Sequence, residues 1–500
     1  MNLLDLILIL PLAGFLVALL LPRSQPQVAR AFALTISLVV LVLAAIVAVR
    51  YVPDGGRQFE TNFIWIASPE IHYHVGLDGI NLWLMVLTAL LTPVGIALSF
   101  RQIRERATEF YALVLLLEFG LIGVFSAFDI FLFYVFFEVT LVPMYLMVGV
   151  WGGPRRMAAA IKFFLYTLTG SVLMLAGVAY LYTRAGTLDY PAVLDLMSSG
   201  RLVFTQREEM LLFLSFLAAF AVKIPIFPLH SWLPETYTEA PPAATMFLSA
   251  LMVKMGALGV IRFCLPLFPN AARHCAPWIL VLAVIGILYG ALVALVQPSF
   301  KTLIAYSSLS HLGFVVLGIF SFTQLGIDGA VYQMVNHGIS TGALFVLAGM
   351  LEERRGSHQI ADFGGVASSA PWLSAAFLIA SLASIGLPGL NNFVGEFLVL
   401  QGAAQSSFKL AAFATAGVIL SAAYMLWMYQ RVFFGSASDA VADLRPREWM
   451  MVTPLVVLMV VLGVFTAPVL APISSTVGRM LDQSNMSIPL RVQLEAPHAR

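Results

Sequence analysis

About fourteen apolar runs cross this 500-residue chain, each close to the roughly 20 residues a helix needs to span a bilayer. No other feature constrains the fold as strongly. Backbone placed in hydrocarbon must satisfy its own hydrogen bonds, so runs of this length and number dictate a bundle of membrane-spanning helices. The cores fall near residues 3–21, 28–50, 77–100, 110–127, 129–150, 157–183, 208–229, 240–265, 277–297, 301–322, 325–351, 371–401, 409–434 and 450–472. Charged residues make up 11% and hydrophobic residues 60%, against about 25% and 45–50% in a soluble domain. These values exclude a soluble enzyme and a disordered chain. A net charge of +1 leaves no electrostatic footprint for nucleic acid. Two cysteines, Cys264 and Cys275, are too few for a disulfide framework or a four-ligand metal site, and read as small apolar fillers. The first run has Asp5 and no basic residue ahead of it, and no A-x-A site closes it. It therefore reads as a retained span and not a cleaved leader.

An even number of spans puts both termini on one side of the membrane. Arg101, Arg104, Arg106, Arg155, Arg156 and Lys162 cluster next to span ends. This bias predicts that their loops are cytoplasmic and both termini are outside. Low lysine with high alanine and arginine points to a GC-rich bacterium, hence a multi-pass protein of a bacterial inner membrane.

Two spans are interrupted. Lys-Ile-Pro-Ile-Phe-Pro at 223–228 breaks the seventh, and Gly-Leu-Pro-Gly at 386–389 breaks the twelfth. Proline and glycine are common in membrane helices in general. Two breaks at matching places instead suggest two five-helix repeats of inverted topology, at about 110–265 and 277–434. A three-helix segment at 1–109 precedes them, and a last span with a tail at 435–500 follows. Broken helices paired in this way point to an ion or substrate site at mid-membrane. The expected fold is an all-α membrane protein.

The ionisable residues inside the spans carry the chemistry. The chain has five lysines and 22 arginines, and two of the lysines, Lys223 and Lys254, lie in apolar surroundings. Arginine stays charged, whereas a buried lysine can lose its proton. Glu138 sits well inside the fifth span, Glu118 midway along the fourth, and Glu396 just after the twelfth-span break. Each ionised side chain at a helix centre costs roughly 2.5–3.5 kcal/mol. Glu138, Lys223, Lys254 and Glu396 left unpaired would cost on the order of 10–14 kcal/mol, as much as a domain's whole stability. They must pair, face water or change protonation state. A static Glu138–Lys223 pair is the structural alternative.

His311 and His337 extend the set, because a neutral imidazole accepts on one nitrogen and donates on the other. Tyr306, Ser307, Ser308, Ser310, Asn336, Ser340 and Thr341 can hold water between ionisable groups. His230, Glu235 and Glu239 end the broken seventh span and read equally as an uptake gate or as helix caps. The chain order Glu138, Lys223, Lys254, His311, His337, Glu396 reads as one polar axis for proton transfer. No CxxC, haem-attachment, GxGxxG or Walker pattern appears, so the sequence assigns no redox centre, cofactor or metal to this chain.

These stretches resemble the antiporter-like subunits of respiratory complex I. The likeness runs over roughly 75–435. It is carried by FLFYVFFEVTLVPMYLMVGVWGG at 131–153, VKIPIFPLHSWLPETYTEAP at 222–241, KTLIAYSSLSHLGFVVLG at 301–318, NHGISTGALFVLAGM at 336–350 and GLPGLNNFVGEFLVL at 386–400. Most members have lysine at the twelfth-span position. Glu396 within FVGEF, and FFEVTLVPMYLM, resemble the subunit M (chain 4) branch. Tyr237 stands where the family usually has a histidine, leaving His230 as the nearby titratable one.

The resemblance implies a charge pair of Glu138 with Lys223 in a first half-channel and a connecting Lys254. It implies bridging His311 and His337, and Glu396 as terminal donor. It also implies neighbouring membrane subunits, and NADH, FMN, iron–sulfur clusters and quinone held by partner subunits, whose redox energy opens and closes the charge pair. The expected function is proton translocation coupled to NADH:quinone oxidoreduction. The alternatives are a subunit of a multisubunit sodium/proton antiporter, which lysine at 396 would favour, or of a membrane-bound hydrogenase related to complex I.

Overall fold

The computed structural model describes residues 2–53, 56–436 and 440–483. Each predicted span is helical. Among the described residues, eleven helices, from Pro26–Arg50 to Pro446–Val464, are long and apolar enough to cross a membrane. The first span, Leu3–Leu19, is shorter. The seventh divides into Gln206–Lys223 and Trp232–Glu239, and the twelfth into Pro371–Ser384 and Asn391–Ser406. The expected tail falls partly outside the described residues.

Local sequence sets the helix ends. Asp129 begins the fifth span by accepting the N–H groups of Phe131 and Leu132, at 2.9 Å each. Thr205 and Glu208 form a capping box for the seventh span, and the Ser299 hydroxyl caps the tenth.

One set of backbone bonds recurs. Ile130 N–H donates to Leu188 O, and Tyr190 N–H donates to Phe128 O. This ties the start of the fifth span to the segment after the sixth. Phe300 N–H donates to His358 O, and Ile360 N–H donates to Pro298 O, tying the start of the tenth span to the segment after the eleventh in the same way.

Burial grades across the bundle. The apolar windows of the eighth and eleventh spans are 100% buried, whereas those of the second and thirteenth are 28% and 33% buried. The carriers of Lys254 and His337 are thus the central helices, and the outer helices turn apolar faces outward.

Four features differ from the sequence expectations. The chain is not wholly α: Gln58–Ala67 and Glu70–Leu77 form a two-stranded antiparallel hairpin. β-branched and aromatic residues around Ser68-Pro69 carried that signal. The third span begins at Leu82, not 77, because residues 70–77 are drawn into the hairpin. The fifth span divides at Thr140 into Ile130–Val139 and Leu141–Trp151. The eighth span widens twice into π-helix, at Leu248–Met252 and Val260–Cys264, on either side of Val253–Gly259. An unbroken apolar run gives no hint of this, since a π-turn changes the bonding register without needing proline. The space is filled from the seventh span: a Cβ on Gly259 would lie 2.4 Å from the Phe220 ring.

Candidate functional site

The breaks position the ionisable side chains. Lys223 is the last residue of its half-helix. The partial negative charge of free carbonyls at a helix C-terminus favours an ammonium there. Trp232 Nε1 donates to Val222 O at 3.0 Å and satisfies one carbonyl at the break. Lys223 is 1% exposed, and its Nζ stands 4.8 Å from the Phe137 ring centroid and 5.6 Å from that of Phe163. Among the described residues it has no hydrogen-bond partner. Phe137 precedes Glu138, which is half-buried beside Ser171 and within electrostatic reach of Lys223. The two therefore couple through space without a contact ion pair.

At the twelfth-span break, Gly386 and Gly389 take φ of +74° and +92°, which only glycine adopts readily. A Cβ on Gly386 would lie 2.8 Å from Glu396 Oε2, so the break makes room for that carboxylate. The half-helix after it is clamped to the eleventh span. Asn336 Nδ2 donates to Asn391 O at 2.7 Å, and Asn391 Nδ2 donates back to Asn336 O at 3.1 Å. Asn392 Nδ2 donates to the Ser340 hydroxyl at 3.1 Å.

Between the breaks lies a continuous buried series. Lys254 Nζ donates to Ser249 O at 2.5 Å, a carbonyl in the first π-segment, and to His337 Nδ1 at 2.7 Å. The His337 and His311 rings are 5.9 Å apart. His311 Nδ1 meets Glu396 Oε1 at 2.8 Å, and Gln333 Nε2 donates to the same oxygen at 3.1 Å. The Ser384 and Tyr424 hydroxyls each stand 3.5 Å from His311 Nε2. Lys254, His337, His311 and Glu396 are all 3% exposed or less. The structure thus reverses the two histidines relative to chain order: lysine meets His337, and glutamate meets His311. Helix packing sets that order, not sequence position.

The remaining candidates lie beside this series. Glu118 is 1% exposed beside Thr92, with no hydrogen-bond partner on either carboxylate oxygen among the described residues. His230 stacks on Phe227 at 5.4 Å and meets the Tyr289 edge at 5.0 Å, and Tyr289 in turn lies 6.5 Å from Tyr306. Glu235 bonds Lys162 at 2.7 Å, and Glu239 accepts from Arg155 N–H at 2.9 Å. Sequence reasoning passed over Gln333, Ser384 and Tyr424, whose residue types give no signal away from their neighbours. No group of three or more His, Cys, Asp or Glu side chains able to hold a metal occurs among the described residues.

Residues 127–423 match the family described as NADH:quinone oxidoreductase/Mrp antiporter, transmembrane. The whole chain is 40% identical to NADH-quinone oxidoreductase subunit M of Rhodobacter capsulatus, over 99% of both sequences. The chain belongs to this family. Respiratory complex I from Thermus thermophilus contains a chain with a TM-score of 0.87 at 35% identity, covering 96% of this chain and 99% of that one. A chain of the Mrp complex from Dietzia shares the fold, with a TM-score of 0.85 at 21% identity, covering 97% of this chain and 99% of that one. Within the family, the identity to subunit M sets this chain in the complex I branch. It is a multi-pass membrane subunit of that assembly.

Proposed function

We propose that this chain carries protons across the membrane for NADH:quinone oxidoreductase along Lys254, His337, His311 and Glu396. The observation that carries the reading is the buried contact series from Lys254 Nζ to Glu396 Oε1. A proton leaves the Lys254 ammonium for His337 Nδ1. His337 then releases the proton on its Nε2. The 5.9 Å ring separation leaves room for a water or hydroxyl to pass it to His311 Nε2. His311 delivers its Nδ1 proton to Glu396, and the carboxyl releases it outside. Each histidine thus takes a proton on one nitrogen and gives one from the other.

Glu138 and Lys223 form the switch. An ionised Glu138 favours protonated Lys223. Beyond 4.0 Å, at an effective dielectric near 20, their attraction is below about 4 kcal/mol. That range includes the about 2.3 kcal/mol needed to move one charge against 100 mV. Uptake runs by the seventh-span break, past His230, to Lys223 or Lys254. NADH, FMN, iron–sulfur clusters and quinone belong to partner subunits, and neighbouring membrane subunits flank this chain. The two half-channels are inverted repeats at about 110–265 and 277–434. The matched backbone bonds at the fifth and tenth spans support this pairing. The chain lies in a bacterial inner membrane with both termini outside.

The test uses inverted membrane vesicles carrying Glu138→Gln. Quinone reduction and interior acidification driven by NADH should fall together, while NADH oxidation by an artificial acceptor is kept. Unchanged NADH-linked activity, with sodium-driven proton exchange lost instead, would overturn the reading in favour of an antiporter.

A further inference from the structure

A cavity of about 740 Å³ opens between the first span, the hairpin and the fourth and fifth spans. Pockets of roughly 300–1,000 Å³ enclose most of a small ligand. The polar residues lining this one are Asp5, Thr61 and Tyr73, and they are gathered at one end, where both hydroxyls face the carboxylate. From Asp5 the wall follows the first span down to Leu12, a drop of about 10 Å at 1.5 Å per residue. The fifth span lines the cavity over a similar length, from Leu132 to Val139. Phe136 stands edge-on to Phe119 at 5.2 Å, so packed rings fix that wall. Ile9, Phe63 and Trp65 line the cavity while remaining 46–53% exposed, so its mouth faces away from the bundle. Nothing in the series from Lys254 to Glu396 lines it.

Asp5 is 5% exposed, in the first turn of its helix. Its carboxylate accepts from the Asn2 N–H at 2.8 Å and from the Thr61 hydroxyl at 3.0 Å, and the Tyr73 hydroxyl stands 3.5 Å away. All three donors are neutral, and no basic side chain among the described residues pairs with it. The helix N-terminus offsets part of the negative charge. A buried carboxylate gains more from a cation that also donates a hydrogen bond.

We propose that this cavity seats one acyl chain of a lipid with a primary ammonium headgroup, of the phosphatidylethanolamine class, and that the ammonium donates to Asp5. Polar groups at one end and an apolar wall running along the helix axes suit an amphiphile lying parallel to the spans. A chain segment in the same place would bring backbone amides that the wall below Asp5, Thr61 and Tyr73 has no polar group to bond. An acyl chain brings none. Trp65 and Tyr73 flank the head end, as aromatic residues do at headgroup level. The wall ends at Val139, the residue after Glu138, so the seated chain reaches the depth of that glutamate.

The experiment uses the intact complex, exchanged in detergent into lipids with a photoreactive acyl chain. Phosphatidylethanolamine, phosphatidylcholine and phosphatidylglycerol probes are compared, and labelled residues are mapped by peptide mass spectrometry. Phosphatidylethanolamine should label the first and fifth spans around Leu12 and Val135. Phosphatidylcholine keeps the positive charge but has no N–H to donate, and phosphatidylglycerol has no cation. Both should label these residues roughly tenfold less, the worth of one hydrogen bond to a charged group. Asp5→Asn should abolish the preference among headgroups, and Val135→Trp, which fills the cavity, should abolish labelling by all three. If Asp5→Asn fails to assemble, the headgroup comparison in the wild type carries the test. Equal labelling by the three lipids would overturn the ammonium–carboxylate contact. A wild-type cavity labelled by none of them would overturn the lipid site and leave a neighbouring subunit as its cover.

Discussion

Lys254 and His337, 83 residues apart, share a hydrogen bond of 2.7 Å at the centre of the bundle. Neither side chain is exposed. Lys254 Nζ is held by the Ser249 carbonyl and the His337 ring nitrogen, with no carboxylate paired to it among the described residues, so it is free to change its protonation state. A contact ion pair would hold the ammonium charged.

Replacing Lys254 by arginine should therefore be more damaging than its charge suggests. The guanidinium stays protonated. NADH-driven acidification should drop by about 10²-fold, the usual worth of a positioned proton-transfer group. Artificial-acceptor oxidation should persist at the wild-type rate. Measuring both rates in the same vesicles checks this.

Glu396→Gln should keep the contact with His311 and remove the carboxyl proton. Assembly should be unchanged on a native gel, with acidification lost. Glu396→Asp should recover part of the rate, because the shorter carboxylate still titrates but stands farther from His311 Nδ1.

Gly402→Ala tests how the glutamate is placed. A Cβ there would lie 2.3 Å from Gly326 N and 2.4 Å from Gly326 Cα, and backbone cannot rotate away. The half-helix bearing Glu396 would be pushed from the eleventh span, at a cost of about 1–3 kcal/mol. Thermal stability of the solubilised complex should fall, and acidification should fall with it. Gly186→Ala provides the contrast, since a Cβ there meets nothing within 4 Å and acts only through its positive φ.

His358 makes the cleft around Lys301 sensitive to acid. Burial, and then the nearby Lys301 ammonium, hold its imidazole below the ordinary 6.5. Below pH 6.5 the unfolded chain binds a proton that the folded one resists, so stability rises with pH there. The His358 contribution is complete above 6.5 and is lost as pH falls through the lowered folded value. Melting temperatures should decline more steeply with acid in the wild type than in His358→Gln. Parallel curves for the two proteins would contradict this assignment.

The sequence by itself determined the spans, the two breaks and the titratable residues within the spans. These are local properties: apolar length, proline and glycine chemistry, and the cost of charge in hydrocarbon each act over one segment. The hairpin had a local signal too, β-branched and aromatic residues around a turn, but the apolar-run reading passed over it and took the chain as all-α. Only the tertiary structure decided which side chains meet. His337 rather than His311 bonds Lys254 because of how the eighth, tenth and eleventh spans are rotated against one another. The π-turns beside Lys254, the Gln333 contact to Glu396 and the cleft around Lys301 have the same origin. Rotation and register come from packing many helices at once, and a linear apolar pattern that is buried on every face leaves them open.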